Sequence, residues 1–473
     1  MKNANSTLFK LLILISIFSF SVNYYGQVFF QKTYPTTFDK TSRDILPTAD
    51  GGYILAGSTN NTTINDCDLN VVKTDNAGNL LWEKQFGGSL PDYAYSMVET
   101  SDGNYFITGY TQSFGGGDLD VYLIKIDPSG NLLWQKDIGS FTNEEGREII
   151  KTSDGNYVIC GSSNLGPNSQ AMLMKIDLAG NVLWTKKYGG ANQEFGNSAK
   201  ECSDGGFILT GQTFSSGQNG DTYLVRTDVN GDTLWTKTYG TALADEGVCV
   251  VNNSDGSYTF VVRDSTASRD VDVRVIKTDA SGNLLWNKVY SGTLKDTPKS
   301  ICSTADGGYM IGAISRSFGW INPDMWLLKL DGGGDTLWTR HFGGSDHEHC
   351  HKAKEWDGGY IAVGHARSYG PGQKVMFVKM NNSGGIVASV NNNVAFENDL
   401  KVYPNPAADG LINVTSESGI PLKIKLINLL GQVVYAGAPE DKTIDLGVRQ
   451  QGVYLLTIES QKGISTRKVV IGK

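Results

Sequence analysis

The chain alternates short apolar runs with polar, glycine-rich punctuation, and no stretch holds the apolar spacing of an amphipathic helix. The runs YILAG, YFITG, YVICG, FILTG and YIAVG each follow an Asp-Gly pair. That pair falls at Asp50, Asp102, Asp154, Asp204, Asp255, Asp306 and Asp357, in steps of 50 to 52 residues. A tryptophan follows in register at Trp82, Trp134, Trp184, Trp235, Trp286 and Trp338; the seventh copy ends in GGIVASV without one. Each copy predicts four strands: a before the Asp-Gly turn, b after it, c as in DVYLIKID, and d as in LLWQKDIG. Asp-Gly, and the Asp-x-x-Gly between c and d, suit tight turns because glycine accepts positive φ.

A four-stranded antiparallel unit has two apolar faces to cover. Stacking units covers them, and bending the stack into a ring removes its exposed ends. This predicts an all-β chain with a seven-bladed β-propeller over residues 27–393. The segment QVFFQKTYP, Gln27 to Pro35, matches strand d, with Phe30 where Trp82 stands. It is expected to supply the outer strand of the seventh blade and close the ring. An open solenoid has no use for such a strand.

The start of the chain carries Lys2 and Lys10, then the apolar run Leu11–Val22. That pattern predicts a signal peptide over 1–26, too short to span a bilayer. No later run is long enough to cross one, so the mature chain is expected to be exported without a transmembrane span, and as a monomer. A net charge of -8 argues against nucleic-acid binding. The six cysteines are widely spaced, five of them in strand-like segments, and are read as buried free thiols rather than a disulfide framework.

The phrase IDPSGNLLWQK resembles the repeat of pyrroloquinoline-quinone propellers, which implies that Trp82 to Trp338 dock between neighbouring blades. Quinoprotein dehydrogenases usually have eight blades, a calcium site and a vicinal cysteine pair. This chain has seven copies and no Cys-Cys, so the resemblance bears on fold and not on redox chemistry. After a linker at 394–399, the tail 400–473 resembles the C-terminal sorting domain of the type IX (Por) secretion system. The matching residues are Tyr403-Pro404-Asn405-Pro406, Leu430-Gly431-Gln432, Gly452-Val453-Tyr454 and Lys468-Val469-Val470. The resemblance implies a small β-sandwich recognised by the outer-membrane machinery, with the cargo released or attached at the surface.

The b–c and d–a loops vary between copies, and that rim is the expected working face. An acid opens strand a at Asp92, Glu144, Glu194, Asp245, Asp296 and Asp346, and strand c at Asp68, Asp120, Asp221, Asp272 and Asp324. Recurrence in nearly every copy favours a structural role over an acidic mouth. Aromatics of the b–c loops, Phe114, Phe318, Trp320 and Tyr369, are candidate ligand contacts, by stacking on a sugar or anchoring a protein. All five histidines crowd copies six and seven. His-x-His on one strand, facing the next strand, places His347, His349 and His365 as candidate ligands for a divalent metal. A solvated histidine-rich rim is the plainer reading. No nucleophile motif, phosphate loop or dinucleotide fingerprint stands out. The expectation is a non-catalytic binding scaffold for protein or glycan, at the cell surface or beyond. The alternative is a polysaccharide- or peptide-degrading enzyme that uses the rim acids as general acid and base.

Overall fold

A computed structural model describes residues 29–34, 38–60, 67–116, 118–139, 142–163, 168–216, 219–266, 270–318, 322–386, 400–405, 407, 411–416, 423–428, 433–437, 443–445, 452–460 and 463–471. The expected signal peptide, the linker 394–399, Trp320, Pro406 and Gly431 lie outside the described residues. Within them there is no helix.

Seven four-stranded antiparallel sheets occupy the span from Phe30 to Asn381, in a propeller-like arrangement. Six are built from consecutive strands. The seventh takes Glu348–Trp356, Gly359–Ala366 and Lys374–Asn381, and its fourth strand is Phe30–Thr33, with Phe30 opposite Lys379 and Thr33 opposite Met376.

The repeated residues stitch each copy together. The Asp of every Asp-Gly turn pairs with a basic residue near the end of strand c, from Asp204–Arg226 at 2.5 Å to Asp357–Lys379 at 3.6 Å. The stems of Lys73, Lys125, Lys175, Lys329 and Lys379 are buried, and their ammonium groups reach the turn. In the c–d turn, the Asp127 carboxylate accepts from the backbone N–H of Ser129 and Asn131, and Gly130 takes φ 77°.

Between copies, the tryptophan of one sheet seats on the c–d glycine of the next. A β-carbon on Gly130, Gly180, Gly231, Gly282, Gly334 or Gly384 would come within 2.5 to 3.0 Å of the Trp82, Trp134, Trp184, Trp235, Trp286 or Trp338 ring. At Gly78 the obstructing ring is Phe30. The series therefore returns from the seventh sheet to the first. One buried apolar cluster accompanies that return, with Ile45, Tyr53 and Val72 meeting Ile361 and Phe377.

The C-terminal residues form a three-stranded sheet of Leu400–Tyr403, Leu411–Ser416 and Thr443–Asp445. A four-stranded sheet runs in the order Val433–Gly437, Lys423–Asn428, Gly452–Ser460, Gly463–Ile471. Ile412 and Val414 share one core with Ile424, Leu426, Leu456 and Val469.

A candidate binding site where the seven first strands converge

Every strand a carries a register shift against strand b, and it falls at the same place in all seven sheets. The extra residues are Arg43, Tyr95, Arg147, Asn197, Val248, Lys299 and His351. A bulge bends the strand and re-aims one side chain. In five sheets the facing residue of strand b is glycine (Gly57, Gly109, Gly161, Gly211 and Gly364), where a β-carbon would overlap the carbonyl oxygen two residues before the bulge. The repeated Gly of YILAG and its relatives is thus the room the bulge needs.

All seven bulge residues are half-buried, and together they line one cavity of about 160 Å³. Its walls carry five basic side chains (Arg43, Arg147, Arg263, Lys299 and Lys352) against two carboxylates, Glu148 and Glu246. Arg147 pairs with Glu145 at 2.7 Å, Arg263 with Glu246 at 2.7 Å, and Lys352 with Glu148 at 3.4 Å. Arg43 and Lys299 have no carboxylate partner among the described residues. The Arg43 Nε is buried without a hydrogen-bond partner. Its guanidinium lies 5.4 Å from the Tyr95 ring, which Arg147 approaches at 4.9 Å. Burial, then the charges of Arg263 and Arg43, lowers the Lys299 ammonium to about 8.

Behind this cavity the next register closes into a charged waist. Glu148 holds Lys200 at 2.7 Å and accepts from the Ser198 hydroxyl at 2.8 Å, while Asp44 holds Lys354 at 2.8 Å. Burial alone pushes the Glu148 carboxyl up; Lys200, Lys352 and Ser198 outweigh it and hold it at about 2. A second cavity of about 330 Å³ opens on the far side, lined by Leu46, Val98, Ile150, Val251 and Cys302.

The histidines converge with one exchange of member. His349 sits directly opposite His365 in the strand pairing, with ring centroids 4.4 Å apart. His351, at the bulge, points to the same place: its Nε2 lies 3.3 Å from the His365 Nδ1. One ring nitrogen from each of the three lies within 4.8 Å of the others. His347, the expected third member, precedes the strand and binds Asp346 through Nδ1 at 2.6 Å. Burial, then nearby positive charge from Lys299, His347 and Arg367, holds His349 at about 4. The same kinds of cause bring His365 to about 2 and His351 well below its ordinary value.

The rim acids are corner posts. Asp92, Glu194, Asp245, Asp296 and Glu348 are fully buried. Gly88 N–H donates to Asp92 at 2.7 Å, Gly190 to Glu194 at 2.9 Å, and Gly344 to Glu348 at 2.8 Å. The seventh member is Glu348 rather than Asp346: Glu348 follows Trp338 by ten residues, as each of the other acids follows its own tryptophan. Asp245 departs from the others: burial, then a hydrogen bond shared with the Asp264 carboxyl, raises it to about 6. Phe114 and Phe318 fold back on their own sheets, and Tyr369 reaches the connection that leaves the sixth sheet. Phe114 stacks on Tyr122 at 5.8 Å, Phe318 leans on Trp326 at 5.4 Å, and the Tyr369 hydroxyl donates to Gly343 O at 3.0 Å. None lines the seven-residue cavity. All six cysteines are free thiols, five of them buried.

In the tail, Tyr403, Pro404 and Asn405 are exposed beside the last strand, where Asn405 Oδ1 accepts from Val470 N–H at 2.8 Å. Tyr454 belongs to the core, and Gly452 opens its strand.

No curated protein matches the sequence. Among solved structures, PorZ, a surface component of the type-IX secretion system of Porphyromonas gingivalis, aligns at TM-score 0.47 and 12% identity. The alignment covers 93% of this chain, which spans 61% of that one. A chain of the COPII outer coat vertex on membranes aligns at TM-score 0.50 and 11% identity, over 81% of this chain and 97% of that one. The Pan2 WD40 domain of Neurospora crassa aligns at 0.37 and 15%, over 57% and 71%. At such identities the COPII likeness concerns fold alone, and the two lower scores carry no argument. Residues 401–472 match the family described as the secretion system C-terminal sorting domain. This tail is a type IX sorting domain, and the chain that carries it is cargo bound for the cell surface or the medium.

Proposed function

We propose that the chain is an extracellular binding scaffold: a seven-bladed propeller over 27–393 that takes an acidic sugar unit of a glycan into the mouth formed by its bulge residues. A signal peptide at 1–26 starts the export, and a sandwich at 400–473 completes it. Ring closure is supported by the Phe30–Gly78 seating and by the cluster between the last sheet and the first.

The observation that carries the ligand reading is the pairing state of Arg43 and Lys299. The Asp of each Asp-Gly turn is neutralised inside its own copy, and other charges pair between copies; Arg43 and Lys299 have no carboxylate partner among the described residues. A half-buried cation without a counter-charge is costly unless a ligand supplies one. The neighbouring Tyr93, Tyr95 and Tyr110, with ring centroids 4.8 and 5.9 Å apart, offer a stacking wall of the kind that suits a sugar ring. The enzyme reading has less support, since the rim acids are buried and already hydrogen-bonded.

The test is calorimetric titration of the secreted protein with polyuronate, sulfated and neutral oligosaccharides. Binding restricted to the acidic ones, and weakened in Arg43→Gln and Lys299→Gln, is expected. Equal binding of neutral sugars, or unchanged affinity in both variants, refutes the reading.

A further inference from the structure

We infer that His349, His351 and His365 form a three-imidazole centre for a divalent transition ion, zinc or copper, on the wall of the axial mouth. His349 and His365 face one another across a ladder, and the bulge turns His351 onto the same point. Between them the rings carry six nitrogens. Among the described residues their ring hydrogen-bonding is confined to the single nitrogen–nitrogen approach of 3.3 Å. Two nitrogens bound at about 2.05 Å to one tetrahedral ion stand about 3.3 Å apart, so this pair already has the edge length of such a site. The third nitrogen lies within 4.8 Å and closes the triangle by a small ring rotation.

Three neutral nitrogen ligands leave a fourth position open, the pattern of sites that take an exogenous ligand. Electrostatics decides what fills it. Arg43, Lys299 and Arg367 all press positive charge on these rings. A dication there is repelled unless an anion joins it. The fourth ligand is therefore an anionic oxygen, and the mouth provides room for one beside Lys299. That last step rests on the acidic-ligand reading above; the metal centre itself does not. By linkage, ion and anion strengthen each other's binding.

The experiment uses secreted protein stripped with chelator, then titrated with zinc and, separately, copper, with metal content and thermal midpoint recorded. One ion per chain is expected, with a raised midpoint. His351→Gln, at a half-exposed bulge where folding is least at risk, and His365→Ala should each bind roughly tenfold or more weakly. His347→Ala should bind as the parent does. Lys299→Gln should bind the metal several-fold more tightly and polyuronate more weakly. Absence of a stoichiometric ion overturns the centre, as does unchanged affinity in both His351→Gln and His365→Ala, or an equal loss in His347→Ala. If the metal results hold while Arg43→Gln and Lys299→Gln both leave polyuronate binding untouched, the acidic-ligand reading falls and the centre stands.

Discussion

The Tyr34 hydroxyl donates to the carbonyl oxygen of Gly78 at 3.0 Å, as Tyr188 does to Gly231 at 2.8 Å and Tyr239 to Gly282 at 2.6 Å. The first strand of the described chain thus makes, between seventh and first sheets, the contact that ordinary outer strands make between neighbours. Phe30 completes the likeness by taking the tryptophan's seat, 5% exposed and edge-on to Phe377 at 4.8 Å.

Gly78 and Gly103 separate two costs. Both have positive φ, 71° and 76°, but a β-carbon on Gly103 meets nothing within 4 Å, whereas one on Gly78 runs into the Phe30 ring. Gly103→Ala should cost about 1 kcal/mol from backbone strain alone. Gly78→Ala should cost clearly more, and Phe30→Ala about 3 to 5 kcal/mol. Urea midpoints of the three variants check the order.

Gly364 stands against the bulge that carries His351, and a β-carbon there overlaps the His349 carbonyl oxygen. Gly364→Ala should lower stability and also disturb the histidine triangle. Gly109→Ala makes the same kind of overlap in the second sheet, far from any histidine, and should lower stability alone. Thermal midpoints with and without zinc distinguish the two.

The waist predicts a large loss from a small change. Glu148→Gln leaves Lys200 and Lys352 facing each other in a buried place without their shared carboxylate. Breaking a buried pair in this way costs on the order of 3 to 5 kcal/mol. Adding Lys352→Met to the same variant should recover part of it, read from chemical denaturation.

Acid should weaken the metal-free protein in two stages. His341 and His349 have folded values of about 4, below the 6.5 of an unfolded chain. Burial is the first cause in both. The folded state then binds fewer protons than the unfolded one in that window. Their contribution is complete above pH 6.5 and is lost as pH falls towards 4. Glu148, at about 2 against 4.5, adds a second loss below pH 4.5. Melting midpoints across pH 8 to 3, in chelator, should fall in both windows. His341→Phe should flatten the upper one, and it also removes a buried Nε2 that has no hydrogen-bond partner while keeping a ring beside Trp326.

The repeat was legible in the sequence because turns impose residue types: Asp-Gly, Asp-x-x-Gly and the tryptophan that seats on the next glycine. The strand around Phe30 was legible for the same reason, as it retains the spacing of strand d. The site was not. A bulge shifts register by one residue without changing composition, so alternation put His347, His349 and His351 on one face and gave no ground for preferring His351 to His347. The signal present was the glycine ending each run of strand b, whose repetition asks for a close backbone approach. Counting back fourteen residues from that glycine reaches Arg43, Tyr95, Arg147 and Asn197; the fifth and sixth copies have Val262 and Ala313 in its place, and the seventh hairpin is one residue shorter, so His351 stands thirteen before Gly364. The loop aromatics were candidate ligand contacts because they recur in the b–c loops; Phe114 and Phe318 pack against Tyr122 and Trp326 of their own sheets.

The pairing of Phe30–Thr33 with Lys374–Asn381 sets an order of manufacture. The ribosome makes one partner near the beginning and the other only after all the intervening copies. A product cut short before Lys374 leaves Phe30–Thr33 without its partner and Gly359–Ala366 with an open edge, and unpaired edges invite pairing with other chains. The last of the seven sheets therefore cannot be completed until the chain has been made through its third strand, which ends at Asn381.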